Sequence, residues 1–167
     1  MHKQIIESKI FNTKEDILPA LNRWRFKQKK IVFTNGCFDL LHPGHIDYLS
    51  KAADMGDVLI IGLNTDRSVA EIKGPRRPVN NQFSRALVLA GISFVNAIVL
   101  FDESTPYNLI KFIQPDVLVK GADYKPEEIA GNDIVTSKGG EIKTVELLPG
   151  YSTSAIEQRI VENHTKS

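Results

Sequence analysis

The sequence predicts an α/β fold built on a parallel sheet of five strands with helices on both faces. Five short apolar runs rich in β-branched residues alternate with segments whose apolar residues recur at helical spacing. Strands separated by helices usually pair in parallel, and helices then cover both faces of their sheet. The predicted architecture is therefore a Rossmann-like, doubly wound sheet.

Residues 1–30 are predicted to form a helical extension before the sheet begins. Within it, 13–28 reads as a helix, because Thr13 and Asp16 have the spacing of a capping box and apolar residues follow at helical intervals. Pro19 fits this helix only in its first turn, because proline lacks the N–H that an interior position needs.

Residues 31–163 are predicted to form the core. Strand 31–35 is an apolar run, and the helix at 43–54 starts at Pro43, a residue suited to a first turn. The elements that follow are read by the same two periodicities: helix 66–72 after strand 57–63, helix 81–92, strand 97–101, helix 105–113, strand 116–120, a short helix at 132–138, strand 141–146 and a closing helix at 152–163. The segment 73–80 holds two prolines and a glycine, which predicts a loop.

Length and composition exclude several classes of protein. At 167 residues with 25% charged residues, the chain reads as one globular domain, 1–167. A net charge of +1 does not indicate nucleic-acid binding, and no apolar run approaches the ~20 residues of a membrane span. With a single cysteine and no signal-peptide pattern at the N-terminus, we expect a cytoplasmic protein with neither nucleic acid nor membrane as a partner.

Two histidines stand where the first strand gives way to a helix. His42 and His45 flank Pro43 and Gly44, at a helix start whose N–H groups and partial positive charge favour anions. Gly44 lets a ligand approach the backbone closely. The pattern predicts a phosphate site; the alternatives are histidines that bind nothing, or a metal pair. A structural zinc site usually takes four ligands, more than this pair supplies.

Other polar, glycine-containing segments also follow predicted strands. They are 34–36 after the first strand, 121–124 after the fourth and 150–154 beyond the fifth. Ligands of such sheets bind outside the carboxyl ends of the strands, where the strand order reverses. We therefore expect these segments to line one crevice.

The motifs resemble the HxGH nucleotidyltransferase superfamily, which includes the cytidylyltransferases and the pantetheine-phosphate adenylyltransferases. Residues 34–45, 73–80, 119–124 and 129–131 are most similar to the adenylyltransferase domains that make ADP-heptose for the lipopolysaccharide inner core. The resemblance runs over most of 10–163, and Ala122 stands where a second glycine is usual. A dinucleotide-binding dehydrogenase is not indicated, because the first turn lacks Gly-x-Gly-x-x-Gly.

The resemblance implies transfer of AMP from ATP to D-glycero-β-D-manno-heptose 1-phosphate, with release of pyrophosphate. Because the attacking phosphate is already an anion, the protein must mainly position the substrates and neutralise charge. Mg²⁺ is expected on the nucleotide phosphates. A separate heptose kinase and a phosphatase would act upstream, and a homodimer is expected by analogy. The alternatives are a CTP-dependent cytidylyltransferase acting on glycerol 3-phosphate, and a non-catalytic nucleotide-binding module.

The resemblance also assigns roles to individual residues. The catalytic set comprises His42, His45 and Lys73. The nucleotide-binding set comprises Thr34, Asn35, Gly36, Cys37, Phe38, Gly44, Arg85, Gly121, Asp123, Tyr124, Tyr151, Ser152, Thr153 and Ser154. The set expected to contact the acceptor substrate comprises Asp39, Lys73, Arg76, Arg77 and Lys120. No metal ligand is predicted.

Several of these residues have a simpler structural interpretation. Phe38 is equally suited to core packing, and Cys37 is better suited to filling a small buried space than to acting as a nucleophile. Asp39 is suited to bracing its loop through backbone N–H groups. Ser152 has the chemistry of a helix N-cap, which is compatible with a phosphate contact by its neighbours. Lys120 can extend from the end of the sheet, and Arg85 can form an ion pair without touching a ligand.

Overall fold

The computed structural model describes residues 1–165, in which a parallel sheet is flanked by helices. The strands are β1 (Ile10–Phe11), β2 (Ile31–Gly36), β3 (Val58–Asn64), β4 (Ala97–Phe101), β5 (Val117–Gly121) and β6 (Glu141–Val145). The helices are α1 (His2–Glu7), α2 (Leu18–Phe26), α3 (Pro43–Ala53), α4 (Asp66–Lys73), α5 (Gln82–Ala90), α6 (Tyr107–Ile113), α7 (Asn132–Ser137) and α8 (Thr153–Thr165). A short 3₁₀ turn covers Pro126–Glu128.

The strand order is β1-β4-β3-β2-β5-β6, and every neighbouring pair is parallel. The chain builds outward from β2 through β3 to β4, then crosses back to place β5 on the other side of β2. Val32 pairs with Val117 and Phe33 with Leu118 across this reversal. The topological switch point therefore lies between β2 and β5, where a doubly wound sheet forms its ligand crevice.

Alternate side chains of each strand enter two separate apolar clusters, one on each face of the sheet. Phe33 and Ile60 pack on the face covered by α2, α6 and α7. Val32 and Ile61 pack on the opposite face, under α3 and α5. Strands buried on both faces read as continuous apolar runs, which is how they were recognisable in the sequence.

The α/β class and the parallel sheet are confirmed, but the prediction of five strands is wrong. The sixth strand, β1, lies in the segment 1–30, so the prediction of a purely helical extension before the sheet is also wrong. It holds only Ile10 and Phe11 and pairs with β4 at the sheet edge. Two residues are too few to show a strand period. The six-residue α1, which precedes it, has no side-chain cap and no buried residue within the described chain, so it also lacked a signal.

The predicted helix 13–28 is shorter than expected. Thr13 and Asp16 do exchange the two hydrogen bonds of a capping box, at 2.9 and 3.3 Å. They stabilise a turn, however, and α2 itself begins at Leu18 with Pro19 in its first turn. Because α2 starts at Leu18, Pro19 lies in its first turn and not in the helix interior, where proline is unfavourable.

No helix in the described part of the chain, residues 1–165, is long and apolar enough to cross a membrane.

Candidate functional site

A cavity of about 650 Å³ opens at the carboxyl ends of the central strands. Its wall includes Asn35 and Gly36 from β2 and Lys120 and Gly121 from β5, which flank the switch point. The wall contains every residue of the predicted site except Thr34, Arg76, Arg77 and Arg85. As expected, the three polar segments 34–36, 121–124 and 150–154 each contribute residues to the wall of one cavity.

The turn between β2 and α3 is held in an unusual conformation. Phe38 has φ 44°, in the left-handed region that bulky residues rarely adopt. Its ring lies against Gly36, where a Cβ would come within 2.9 Å of the ring carbon Cε2. Phe38 is buried and also packs its ring edge-on to His45 at 5.3 Å between centroids. Phe38 thus belongs to the core and to the cavity wall at once.

His42 and His45 form the centre of the site. Their rings stack with centroids 3.8 Å apart and an interplanar angle of 20°. His42 is the N-cap residue of α3 and Pro43 follows in the first turn, so both imidazoles sit at the positive end of this helix. Among residues 1–165, the buried side-chain nitrogen and oxygen atoms that lack a hydrogen-bond partner are the two Nδ1 atoms of this pair. Such atoms are costly unless a ligand or water satisfies them.

The surroundings keep both imidazoles neutral near pH 7. Burial, with smaller contributions from His42 and Lys73, lowers the pKa of His45 to about 4. Burial also lowers the pKa of His42. A neutral imidazole still donates one hydrogen bond, and a bound phosphate would favour the protonated form.

Asp39 braces the loop that follows α4. Its buried carboxylate accepts hydrogen bonds from the backbone N–H of Val79 and of Asn80, each at 2.9 Å, and from Arg77 at 3.0 Å. Burial alone would raise the pKa of this carboxyl, but the three donors together hold it below its ordinary value. Asp39 lines the cavity, yet its oxygens are directed to the loop, in agreement with the bracing interpretation.

Arg85 does not line the cavity, in contrast to the nucleotide-binding role that the resemblance implies. Its side chain is fully buried, and its guanidinium donates to three backbone oxygens and one carboxylate. The acceptors are Asn80 O at 2.9 Å, Cys37 O at 2.6 Å, Asn64 O at 2.8 Å and Asp66 Oδ1 at 2.7 Å. Arg85 therefore ties the β2–α3 turn, the end of β3 and the loop before α5 to one another.

The other predicted cationic residues lie partly in the cavity wall and partly on the loop that follows α4. Lys73, the last residue of α4, lines the cavity. Arg76 is exposed and lies outside the cavity wall. Arg77 also lies outside it, because its guanidinium is engaged by Asp39 and Glu157. The substrate contacts predicted for the two arginines therefore have no geometric support.

Lys120 extends from the end of β5 into the cavity. Its ammonium donates to Asn35 Oδ1 and lies 5.4 Å from the centroid of the Tyr124 ring. Burial lowers the pKa of Lys120 to about 8, an effect that Asp123 partly opposes. This cation is held by neutral groups and one nearby carboxylate, which leaves it available to an anionic ligand.

The last polar segment brings a third element to the histidines. Ser152 caps α8 by accepting from Ala155 N at 3.1 Å, as its N-cap interpretation predicts. Thr153 and Ser154 line the cavity. Tyr151 stacks on His42 with ring centroids 6.3 Å apart, and a Cβ on Gly44 would lie 3.1 Å from both His42 and Tyr151. Gly44 is therefore required for this close approach.

Two further predicted residues have structural roles. Thr34 is buried, and its hydroxyl lies 2.7 Å from the Tyr48 hydroxyl, which in turn donates to Val119 O at 3.1 Å. This pair joins β2, α3 and β5 beneath the cavity. Burial raises the pKa of the Cys37 thiol, against the opposing effect of Lys73 and Arg85, so Cys37 is not activated as a nucleophile.

Sequence reasoning missed part of the cavity wall. Asn64 ends β3, and the segment 104–106 follows β4; both line the cavity. The Asn64 side chain is positioned by a 2.9 Å hydrogen bond to Ser68 Oγ. The rule that ligands meet the carboxyl ends of strands applies equally to these two strands and would have found them.

Within residues 1–165, no group of three or more His, Cys, Asp or Glu side chains is arranged to hold a metal ion. The cavity supplies Asp39, Asp123 and Glu128 as carboxylates, and the oxygens of Asp39 are already engaged. A divalent cation held by oxygen ligands would fit this wall only if the ligand brought most of those oxygens.

Comparison with known proteins identifies relatives that match most of this chain. Bifunctional protein HldE of Wolinella succinogenes is 52% identical over 148 residues, which are 89% of this chain and 30% of that protein. The chain spans about a third of the length of the curated relatives it matches.

Two solved structures share the fold. The crystal structure of a lipopolysaccharide core biosynthesis protein from Thermoplasma volcanium is 26% identical with a TM-score of 0.59, covering 72% of this chain and 97% of that one. Pantoate-β-alanine ligase from Francisella tularensis, at 17% identity and a TM-score of 0.61 over 92% of this chain and 77% of that one, shares the fold alone.

The family model described as cytidylyltransferase-like matches residues 33–159, the span from the middle of β2 to α8 that contains every motif around the cavity. With its histidine pair at the start of α3 and its cavity at the switch point, the chain belongs to the cytidylyltransferase-like family of nucleotidyltransferases.

Proposed function

We propose that this protein transfers AMP from ATP to D-glycero-β-D-manno-heptose 1-phosphate and releases pyrophosphate. The observation that carries the proposal is the stacked pair His42–His45, whose buried Nδ1 atoms lack partners at the start of an 11-residue helix. Helix N-termini favour anions, and histidine side chains add hydrogen-bond donors to that site. Lys73 and Lys120 bring positive charge to the same cavity.

The reaction needs no strong base. A phosphate oxygen of the sugar 1-phosphate attacks the α-phosphorus of ATP, a new P–O bond forms, and the bond from the α-phosphorus to the bridging oxygen breaks. Pyrophosphate carries the electrons of that bond away. Because nucleophile and leaving group are both anions, the barrier is lowered mainly by aligning them and by neutralising charge in the transition state.

Different residues of the cavity align the substrates and neutralise their charge. His42 and His45 hold the triphosphate, and they can become cationic as negative charge develops toward the β-phosphate. Lys73, at the end of α4, adds a positive charge. Thr153 and Ser154 contact the β- and γ-phosphates at the start of α8. Lys120 binds the acceptor phosphate from the opposite strand of the switch point.

The nucleotide contacts rest on the remaining wall residues. Asn35, Gly36 and Cys37 at the end of β2, and Gly121, Asp123 and Tyr124 after β5, enclose the nucleotide and the sugar. Mg²⁺ bound to the nucleotide would shield the phosphate charge, with most of its oxygen ligands supplied by the nucleotide and water. Asp123 lines the wall and would orient a water of that ion or a sugar hydroxyl.

The comparisons support the choice of substrates. The relatives that match at about 50% identity carry the name HldE, and a structural neighbour is described as a lipopolysaccharide core biosynthesis protein. This agrees with ADP-heptose as product and a lipopolysaccharide core as its destination. On this proposal the reaction runs in the cytoplasm as a homodimer, after a heptose kinase and a phosphatase have acted.

A second candidate, CTP-dependent transfer to glycerol 3-phosphate, is favoured by the description of the matching family as cytidylyltransferase-like. The phosphate chemistry is the same in both reactions. The choice depends on which base and which acceptor the remaining wall of the cavity accepts.

One assay tests the proposal. The protein is incubated with Mg²⁺, each nucleoside triphosphate in turn, and either heptose 1-phosphate or glycerol 3-phosphate, and pyrophosphate is measured. ATP-dependent release with heptose 1-phosphate is expected. CTP-dependent release with glycerol 3-phosphate alone would establish the second candidate. Nucleotide binding without release for any acceptor would indicate a non-catalytic binding module.

His42→Ala and His45→Ala are the matched variants for this assay. Each should lower kcat by about 10²–10³, the usual cost of removing one donor to a developing negative charge. Nucleotide binding, followed by calorimetry, should fall much less.

A further inference from the structure

Arg77 lies between two carboxylates that belong to different segments of the site. Its Nη1 lies 3.0 Å from Asp39 Oδ2, next to the histidine turn, and its Nη2 contacts Glu157 Oε2 in α8. The Arg77 side chain is 18% exposed, that of Asp39 2% and that of Glu157 35%. One guanidinium therefore links the β2–α3 turn, the loop after Lys73 and the last helix.

Burial does little to hold the last helix in place. None of the residues 153–164 is buried, and Ile160 is 52% exposed. The start of α8 nevertheless reaches the cavity, where Thr153 and Ser154 line the wall. A helix without a buried apolar stripe depends on individual polar contacts for its position, since burial of such a stripe is what normally holds a helix in place.

We infer that Arg77 is a positioning residue that docks α8 through Glu157, and that this ion pair sets the fraction of molecules in which Thr153 and Ser154 face the nucleotide. Because Arg77 is fixed by the buried Asp39, its free side is presented to Glu157 without loss of further side-chain freedom. This pre-organisation distinguishes the pair from an ordinary surface ion pair, which contributes little. The inference about docking stands on geometry alone; its kinetic consequence rests on the proposed function.

The expected effect on KM for ATP follows from the fraction of molecules in which α8 is docked. If nucleotide binds only when α8 is docked, the apparent dissociation constant rises as the docked fraction falls, whereas saturating nucleotide restores docking. Loss of the pair should therefore raise KM for ATP and leave kcat nearly unchanged. A variant that merely unfolds part of the population would lower kcat and leave KM unchanged.

The test compares Glu157→Ala with Arg159→Ala, an exposed residue on the same helix. In the protein without nucleotide, amide hydrogen exchange in 152–160 should quicken about tenfold in Glu157→Ala and stay unchanged in Arg159→Ala. KM for ATP should rise about 5- to 20-fold in Glu157→Ala, with kcat within twofold. Glu157→Asp should recover part of both effects.

A double-mutant cycle checks that Arg77 is the partner. In an Arg77→Ala background, Glu157→Ala should change hydrogen exchange and KM by less than twofold. Unchanged exchange and unchanged KM in Glu157→Ala would overturn the inference. If the wild-type protein released no pyrophosphate with any acceptor, the proposed function would fail, while hydrogen exchange would still decide whether Glu157 docks the helix.

Discussion

The imidazole rings of His42 and His45 stack face to face, with centroids 3.8 Å apart. Two cations at this separation would repel strongly, so the pair accepts at most one proton without an anion between or beside the rings. The stack therefore prepares two neutral donors that a phosphate can convert to cations. It links the charge of the site directly to the presence of nucleotide.

The first prediction concerns the titration of His45. In the protein without nucleotide, NMR should show this imidazole titrating at about pH 4, with ATP raising the value by at least one unit. The unfolded chain takes up this proton near pH 6.5, so it binds more protons between pH 6.5 and 4, and acidification through that window destabilises the fold. The full shift would correspond to about 3–4 kcal/mol, and solvent screening of this partly exposed ring makes the contribution smaller.

His45→Gln removes that titration and serves as its check. The free energy of unfolding of the variant, measured in urea from pH 7 to 4, should fall less steeply than that of the wild type. Parallel curves for the two proteins, or an imidazole that titrates near pH 6.5, would contradict the burial described for His45.

The second prediction concerns Asp39→Asn. The amide places an NH₂ group among donors from Arg77, Val79 and Asn80, so we expect a loss of about 2–4 kcal/mol in the free energy of unfolding at pH 7. Because the folded pKa is depressed, this stabilisation is present above the unfolded value of 3.8 and is lost as pH falls through the lower folded value. Denaturant unfolding at pH 7 and pH 3 measures both, and a difference that stays constant with pH would contradict the assignment.

Much of the sheet is predictable from the sequence because its strands are buried on both faces. Runs such as 57–63 are apolar throughout, so their pattern survives without knowledge of their partners. The two-residue β1 gives no comparable pattern, because it exists only through pairing with β4. Elements created by tertiary pairing alone leave little trace in local sequence.

The residues of the cavity wall can be predicted for a related reason, but the contacts of the arginine side chains cannot. Residues at strand ends meet because parallel strands share one carboxyl edge, which places Asn35 beside Lys120. Arg77 lies in the segment 73–80 and Arg85 on the helix that follows, and most of their acceptors are carbonyl and carboxylate oxygens far away in sequence. Whether an arginine faces a ligand or a buried acceptor depends on how the fold brings these segments together, which the motifs do not specify.

The third prediction concerns the pH dependence of acceptor binding. Since burial lowers the pKa of Lys120 to about 8, its charge is lost as pH rises from 7 to 9. If the ammonium binds the acceptor phosphate, kcat/KM for that substrate should fall above about pH 8, because this ratio reports the free enzyme. Lys120→Gln should lower kcat/KM by about 10- to 100-fold and abolish the alkaline decline. Lys125→Gln, an exposed control, should keep it.

The fourth prediction distinguishes a structural from a phosphate-binding role for Arg85. Arg85→Ala leaves buried acceptors on Cys37 and Asn64 unpaired, so the free energy of unfolding should fall by about 3–5 kcal/mol. Arg85→Lys should also lose stability, while KM for ATP changes by less than about threefold in the folded protein. Undiminished stability with a tenfold higher KM would instead support a direct phosphate contact.

The fifth prediction concerns Gly44, which separates His42 from Tyr151. A Cβ there would lie 3.1 Å from the His42 ring and 3.1 Å from Tyr151 Cβ, so Gly44→Ala must displace one of them. Alanine also favours the helix by about 1 kcal/mol, which offsets the strain in the stability of the whole protein. We therefore expect pyrophosphate release to fall at least tenfold, with the free energy of unfolding within about 1 kcal/mol of wild type.

Gly91→Ala is the control for that variant, because Gly91 ends α5 outside the cavity wall and has φ −69°, which alanine adopts readily. Its activity should stay within twofold of wild type. Full activity in Gly44→Ala, with the NMR signals of His42 unshifted, would show that the spacing between α3 and the start of α8 does not govern the reaction. A loss confined to Gly44→Ala would place that spacing among the requirements of catalysis, because the added methyl group changes no charge and removes no donor.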